Sequence, residues 1–414
     1  MTIGADHRPE APPAAGWLGE LTNPRLLFLI LALPLLCQWM VWFYWPAAHG
    51  LDVTGHPIGR DFINVWAGPR LAFGGEITTL FDPEAYHAAI DKLFGTALPF
   101  HFWSYPPFTL PAFWPLAQLP YFAALAVWTL GLFGVLAAVT LSAVAPHERG
   151  YALTALALSP ACLINAIGGQ NGFLSAALLL GGTLLIDRRP ILAGVLFGLL
   201  TFKPHLGLVL AFALVALAAW RVIAAAIVTA LVLVAVSVAI FGIEPWRQYV
   251  EFTSAFQVHL LERFNGYYRF MMVSGVAGAR TFGLGYPLAM ALQIALTVAV
   301  VAIACWAVRA TSDPLRRALV LASATPLATP YAFNYDLTAL ATVVVWSLCR
   351  PLPPDGRTAI LFLAWIIPVL SMYLNWYGWG LTPLVLAAVF ALAVYECRAD
   401  RRPSPAGPMQ PAAA

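Results

Sequence analysis

Residues 222–241 read VIAAAIVTALVLVAVSVAIF, twenty residues without a charge. A helix of about 20 apolar residues spans the hydrocarbon core of a bilayer, so this stretch predicts a transmembrane helix. The whole chain has the same character, because 61% of its 414 residues are hydrophobic, only 10% are charged, and the mean hydropathy is +0.79. This composition excludes a soluble enzyme and a disordered protein, and the net charge of +3 excludes a nucleic-acid-binding protein.

Eleven further apolar stretches surround this one, and together they predict an all-α polytopic membrane protein with about 12 transmembrane helices. The twelve stretches are 26–45, 121–145, 151–167, 171–186, 190–203, 205–220, 222–241, 286–308, 316–331, 335–349, 358–375 and 381–396. The segment 105–119 is also apolar but contains four prolines. Prolines interrupt a helix, so we expect this segment to be a re-entrant or interfacial piece.

The arginines indicate how the chain crosses the membrane. With both termini in the cytoplasm, most basic residues fall on the cytoplasmic side, as the positive-inside rule requires. These are Arg8, Arg25, Arg149, Arg188, Arg189, Arg221, Arg309, Arg316, Arg317, Arg350, Arg357, Arg398, Arg401 and Arg402. We therefore expect a transmembrane domain over 26–397, with disordered cytoplasmic ends at 1–25 and 398–414. The two long loops, 46–120 and 242–285, then lie on the outer face of the membrane.

Asp61, in the sequence GRDFINVWAG (59–68) of the first outer loop, is the leading candidate for a catalytic residue. Helical spacing predicts short amphipathic helices at 62–73 and 83–94 that lie on the membrane surface, the second starting at Asp82-Pro83. A carboxylate among aromatic residues at this boundary is a plausible general base. A helix N-cap or a partner for Arg60 explains it equally well.

Lys203 and Asp336 are charged residues within apolar helices, both near the outer side. Lys203 could bind a lipid phosphate or reach the interface with its ammonium group, and His205 adds a second donor. A carboxylate at membrane depth, such as that of Asp336, is usually functional, although the first turn of a helix also stabilises one. Gln170 and Asn171 lie between glycines in a turn, which suits a polar ligand or a tight polar turn.

The second outer loop has polar and aromatic residues suited to a sugar, or to an amphipathic cap. Arg263, Arg269 and the Tyr267-Tyr268 pair are the main candidates. The spacing of the histidines matches no metal motif, so we expect no metal site.

Taken together, the motifs resemble glycosyltransferase family 87, the polyprenyl-phosphate-dependent mannosyltransferase-like proteins with the GT-C membrane fold. The ordered matches are GRDFINVWAG (59–68), LFDPEAY (80–86), YPPF (105–108), GQNG (169–172), AGVLFGLLTFKPHLG (193–207) and TPYAFNYDLTAL (329–340). In the phosphatidylinositol-mannoside branch of the family, a histidine stands where this chain has Asn334-Tyr335-Asp336.

The resemblance implies a GT-C bundle with the first outer loop over the active site. It implies transfer of a sugar, such as mannose, from a polyprenyl monophosphate to a glycolipid or envelope glycan, with inversion at the anomeric carbon. The reaction would need no cofactor and would take place at the outer face of the bacterial inner membrane. Asp61 would be the base. Residues expected to bind the carrier phosphate are Lys203, His205, Arg263 and Arg269. Those expected to bind sugar or acceptor are Arg60, Tyr105, Gln170, Asn171, Tyr335 and Asp336.

Two other functions remain open at this point. One is a lipid-linked sugar transporter or flippase, although transporters usually place ionisable groups at the membrane midplane and no charge lies mid-span here. The other is a non-catalytic subunit of an envelope-polysaccharide assembly system. Membrane lipids surround the protein in each case, and no nucleic-acid partner is expected.

Overall fold

The computed structural model describes residues 23–351 and 356–399, which are mostly helical and contain no β-strand. The first half has α-helices at Pro24–Ile30, Leu33–Phe43, Phe62–Phe73, Pro83–Phe94, Thr109–Ala117, Tyr121–Ser142, Arg149–Leu158, Pro160–Ile167, Gly172–Leu185 and Pro190–Leu199. The second half has them at Leu208–Ala216, Trp220–Phe241, Glu244–Gln248, Ser254–Arg263, Tyr268–Met271, Gly275–Thr281, Tyr286–Ala310, Pro314–Ala328, Thr338–Leu348, Gly356–Trp376 and Thr382–Ala399. The disordered ends expected at 1–25 and 398–414 fall mostly outside the described residues.

Short helical turns join these helices. One-turn 3-10 helices lie at Ala48–Gly50, Ile77–Phe81, Pro146–Glu148, Leu200–Phe202, Pro204–Gly207 and Asn334–Leu337, and a π-helical turn lies at Tyr249–Thr253. Several of these turns stand where a helix stops at a proline, which lacks the N–H needed to continue it.

All twelve apolar stretches are helical, but most are shorter than a bilayer span. Among the described residues, five helices are long and apolar enough to cross a membrane when Pro24–Phe43 is counted as one helix. A sixth span arises if Pro146–Leu158 and Pro160–Ile167, bent by 53°, are also counted as one. Helices such as Gly172–Leu185 are apolar but shorter. The chain is therefore a multi-pass membrane protein by length and composition, while the number of about 12 spans stays a prediction.

The bundle has buried central helices and exposed outer ones. Almost every residue of Pro314–Ala328 and Thr338–Leu348 is buried, whereas Trp220–Phe241 exposes apolar side chains such as Leu231, at 61%. A helix that is apolar even on its exposed face suits a lipid environment. Gly194 and Gly198 let two helices pack closely, because a Cβ at Gly194 would come within 2.4 Å of the Val222 carbonyl oxygen.

The two helices predicted in the first outer loop are present, at Phe62–Phe73 and Pro83–Phe94. The Asp82 carboxylate caps the second by accepting from the backbone N–H groups of Glu84 and Ala85. Their position at the membrane surface stays a prediction, but the first is not an exposed amphipathic helix. Phe62–Phe73 is buried on nearly every side, because Thr109–Ala117 and Trp103 cover it.

Candidate active site

A cavity of about 610 Å³ lies between the ends of several helices of the bundle and the two segments predicted as outer loops. Its walls come from the first outer loop, the turns around 168–171 and 202–205, residues 249–271 and the segment 331–335. These are the Gly-, Pro- and aromatic-rich segments that the sequence places on the outer face. Three of its described lining residues, Arg60, Asp61 and Lys203, are acidic or strongly basic.

A tight turn presents Asp61 to this cavity. Gly59 and Arg60 both have positive φ, +87° and +35°, and the helix Phe62–Phe73 begins directly after Asp61. Asp61 occupies the N-cap position, yet its side chain makes no capping hydrogen bond. Arg60 forms its ion pair with Asp52. Neither structural explanation considered for Asp61 therefore accounts for its carboxylate.

Gln170 holds the Asp61 carboxylate, since its Nε2 donates a hydrogen bond to Asp61 Oδ2. The two motifs touch at Gly169, which has a φ of +56°. A Cβ there would lie 2.3 Å from the Gly59 carbonyl oxygen and 2.6 Å from Phe62 Cβ. The GQNG turn thus fixes both the backbone and the side chain of the GRDF turn.

Asn171 carries an unused acceptor at the cavity wall. Its Nδ2 donates to the Tyr105 hydroxyl at 2.9 Å, while its buried Oδ1 has no hydrogen-bond partner. Burial, and next the negative charge of Asp61, raise the pKa of Tyr105. A buried acceptor without a donor is costly unless a ligand satisfies it. A sugar hydroxyl is a donor of the required kind.

Lys203 and Asp336 form a buried ion pair. Lys203 Nζ donates to Asp336 Oδ1 at 2.7 Å, and the side chains are 10% and 1% exposed. The second carboxylate oxygen of Asp336 accepts from the backbone N–H of Phe333 at 3.1 Å. Lys203 Nζ also lies 4.7 Å from the centre of the Tyr335 ring. Only the lysine lines the cavity, so Asp336 contacts the site through Lys203 rather than a sugar directly.

The GQNG and TPYAFNYD motifs are joined by Asn165, a buried residue that the sequence does not single out. Asn165 Oδ1 accepts from the backbone N–H of Gly172 at 3.0 Å. Its Nδ2 donates to the Tyr335 carbonyl at 3.1 Å and to the Thr338 hydroxyl at 2.8 Å. This amide connects the turn that carries Gln170 to the segment whose Asp336 pairs with Lys203.

His205 and Tyr335 line the cavity, as expected, but Arg263 and Arg269 do not. His205 Nε2 is buried without a hydrogen-bond partner. Both arginines are exposed, and the Arg269 guanidinium lies 4.6 Å from the Phe270 ring. Their contact with the carrier phosphate therefore stays a prediction. Arg263 ends its helix where the left-handed Phe264 turns the chain.

His56 and His101 are cavity residues to which the sequence assigns no role. Burial, followed by the positive charge of Arg60, lowers the pKa of His56 to about 4. Burial also lowers the pKa of His101, against the opposing effect of Asp61. Both rings are therefore neutral near pH 7. Among the described residues, no group of three or more His, Cys, Asp or Glu side chains is arranged to hold a metal ion.

The profile of glycosyltransferase family 87 matches residues 103–330, more than half of the chain. The protein therefore belongs to glycosyltransferase family 87 and is a transferase of the membrane, as the sequence motifs indicate. The matched range includes Tyr105, the GQNG turn and Lys203, while Asp61 and Asp336 lie outside it. No curated protein and no solved structure matches the chain.

Proposed function

We propose that this glycosyltransferase moves a sugar, mannose or a similar hexose, from a polyprenyl monophosphate carrier to a glycolipid or envelope glycan. The reaction takes place at the outer face of the bacterial inner membrane, with inversion at the anomeric carbon. The observation that carries the proposal is that one cavity is lined by both the Asp61 carboxylate and the Lys203 ammonium. A base and a cation in one cavity suit attack by a hydroxyl with departure of a phosphate.

In the proposed step, an acceptor hydroxyl oxygen bonds to the anomeric carbon and gives its proton to the Asp61 carboxylate. The bond from the anomeric carbon to the phosphate oxygen breaks, and its electron pair stays on the carrier phosphate. Gln170 orients the carboxylate by donating to Oδ2. No metal is assigned to the step.

Lys203 would stabilise the charge that develops on the departing phosphate. An ammonium group has three N–H donors, and one of them is used by Asp336. The remaining donors are available at the cavity wall, and Asp336 fixes the position of the nitrogen. The unpartnered acceptor of Asn171 would bind a hydroxyl of sugar or acceptor.

The test is transfer of label from polyprenyl-phosphate [14C]mannose to a bacterial glycolipid extract by the purified full-length protein in detergent. We expect Asp61→Asn to lower kcat by about 10²- to 10⁴-fold, the usual contribution of a general base. Asp82→Asn is the matched control, because it replaces another aspartate of the same loop and asparagine also caps helices well. Detergent removes the two compartments that transport requires, so transfer of label distinguishes the enzyme from a flippase.

Wild-type transfer by a correctly folded Asp61→Asn protein would show that Asp61 is not the base. Transfer from a nucleotide-linked mannose, with none from the polyprenyl phosphate, would contradict the proposed donor.

A further inference from the structure

Asp52 is the centre of a hydrogen-bonded loop just before the GRDF turn. Its Oδ1 accepts from the backbone N–H and the hydroxyl of Thr54, at 2.9 and 2.6 Å, and from the backbone N–H of His56 at 3.2 Å. Its Oδ2 accepts from Arg60 Nε at 2.9 Å. Asp52 is 4% exposed and does not line the cavity. A buried carboxylate with this many donors orders the loop around it.

The Arg60 guanidinium uses its Nε and Nη2 atoms for protein partners, while Arg60 also borders the cavity. Besides Asp52, its Nη2 donates to the Phe43 carbonyl and, at 3.1 Å, to the Thr54 hydroxyl. The guanidinium carbon lies 3.9 Å from the centre of the Tyr44 ring and 5.3 Å from that of Tyr267. Arg60 thus joins the end of the first apolar helix to both outer loops, and its contact with a sugar stays a prediction.

The backbone of Arg60 lies immediately before the proposed base. A φ of +35° is unusual for a residue with a Cβ, and such a conformation persists only where surrounding contacts hold it. The ion pair with Asp52 and the stacking on Tyr44 supply those contacts. Loss of either anchor would let Arg60 relax toward negative φ, and this would rotate the peptide that carries Asp61.

We propose that Asp52 and Arg60 are positioning residues that act through the backbone to aim the Asp61 carboxylate at the acceptor hydroxyl. This inference rests on the proposed function, in which Asp61 is the base. Misplacing a reacting group by about 1 Å costs on the order of 10²-fold in rate. Because Asp52 does not line the cavity and acts through Arg60, we expect its loss to lower kcat and to leave the KM for the donor unchanged.

The experiment compares Asp52→Asn, Arg60→Lys and the double variant in the transfer assay with polyprenyl-phosphate [14C]mannose. Asp52→Asn keeps the side-chain size but removes the charge that pairs with Arg60. We expect kcat to fall by at least about tenfold, with the donor KM within about twofold of wild type. The double variant should be no slower than the worse single variant, since both changes break one pair.

Glu148→Gln is the matched control, because it breaks the part-buried ion pair with Arg25, which does not line the cavity. It should leave kcat unchanged. An Asp52→Asn protein with wild-type kcat, or with its loss confined to KM, would overturn the positioning role. If the Asp52→Asn protein does not accumulate in cells, Thr54→Val tests the same positioning role with the same expected results. The Thr54 hydroxyl contacts both Asp52 and Arg60.

Measuring Asp61→Asn beside these variants separates the claim that Asp61 is the base from the claim that Asp52 and Arg60 position it. Wild-type activity of Asp61→Asn would overturn the proposed base, and the positioning role with it. Loss of activity in Asp61→Asn together with full activity in Asp52→Asn would overturn the positioning role alone.

Discussion

Lys203 and Asp336 show how a residue can be recognised from sequence while its partner is not. They stand out because each is a lone charge in an apolar helix, and such charges are costly unless they are used. They lie 133 residues apart, and no spacing rule links positions so distant. Their ion pair follows from burial of both groups at one place in the bundle.

Breaking this pair should have separable effects on stability and on substrate binding. Lys203→Met leaves the Asp336 carboxylate buried without its partner, which typically costs about 3–5 kcal/mol. We expect a lower thermal unfolding midpoint in detergent. The double variant Lys203→Met/Asp336→Asn should regain most of that stability while keeping a raised KM for polyprenyl-phosphate mannose. A double variant with wild-type KM would remove Lys203 from the phosphate site.

The arginines of the second outer loop show that the sequence does not predict which side chains of a loop face a cavity. Arg263 and Arg269 were expected at the phosphate because their charge suits it, but charge does not say which way a loop faces. The structure turns Phe256, Gln257 and Leu260 to the cavity and leaves both arginines exposed. His56 and Asp52 were missed for the opposite reason. They belong to no motif, and their roles come from the folded loop.

At the scale of elements, the sequence predicts where a helix begins. It does not predict which other segments pack against that helix. Asp82-Pro83 predicts the helix Pro83–Phe94 because capping chemistry is local. The helix Phe62–Phe73 also has the predicted bounds. Its burial depends on Trp103 and Thr109–Ala117, which are distant in sequence, so the spacing of its own residues does not predict that burial.

The contact between the GRDF and GQNG turns predicts a strong effect of Gly169→Ala. The left-handed conformation of Gly169 costs an L-residue about 1–2 kcal/mol, and the new methyl group would also collide with the Gly59 carbonyl oxygen. We expect a lower unfolding midpoint and slower sugar transfer.

Gly131→Ala is the control for this change. Gly131 lies inside the helix Tyr121–Ser142, and a Cβ there meets nothing within 4 Å. Alanine favours helices over glycine, so its unfolding midpoint should be unchanged or higher. Equal midpoints for the two variants would contradict the close approach of the turns.

For the whole molecule, composition is enough to predict a helical membrane protein, and every apolar stretch is helical. Composition does not give the number of spans. Breaks divide part of the chain into helices shorter than a bilayer span, such as Gly172–Leu185. A short piece of a broken span and a re-entrant piece can both be apolar, so composition does not distinguish them.

The arginine distribution predicts an orientation that labelling can check. A cysteine introduced at exposed Asp82 in the first outer loop should react with a membrane-impermeant maleimide in intact cells. A cysteine at His147, which lies beside a predicted cytoplasmic arginine, should react only after permeabilisation. The reverse pattern would invert the orientation. The starting protein has its native cysteines replaced, because Cys37 is exposed.

The buried position of the helix Phe62–Phe73 has a consequence for how such an enzyme can diversify. The wall that carries Asp61 belongs to the packed core, where most substitutions are destabilising. The opposite wall, built from residues 249–268, has many exposed side chains around its cavity-facing ones. Loops of that kind tolerate change. Under the proposed function, we expect new acceptor preferences to arise in the second outer loop while the first outer loop keeps its residues.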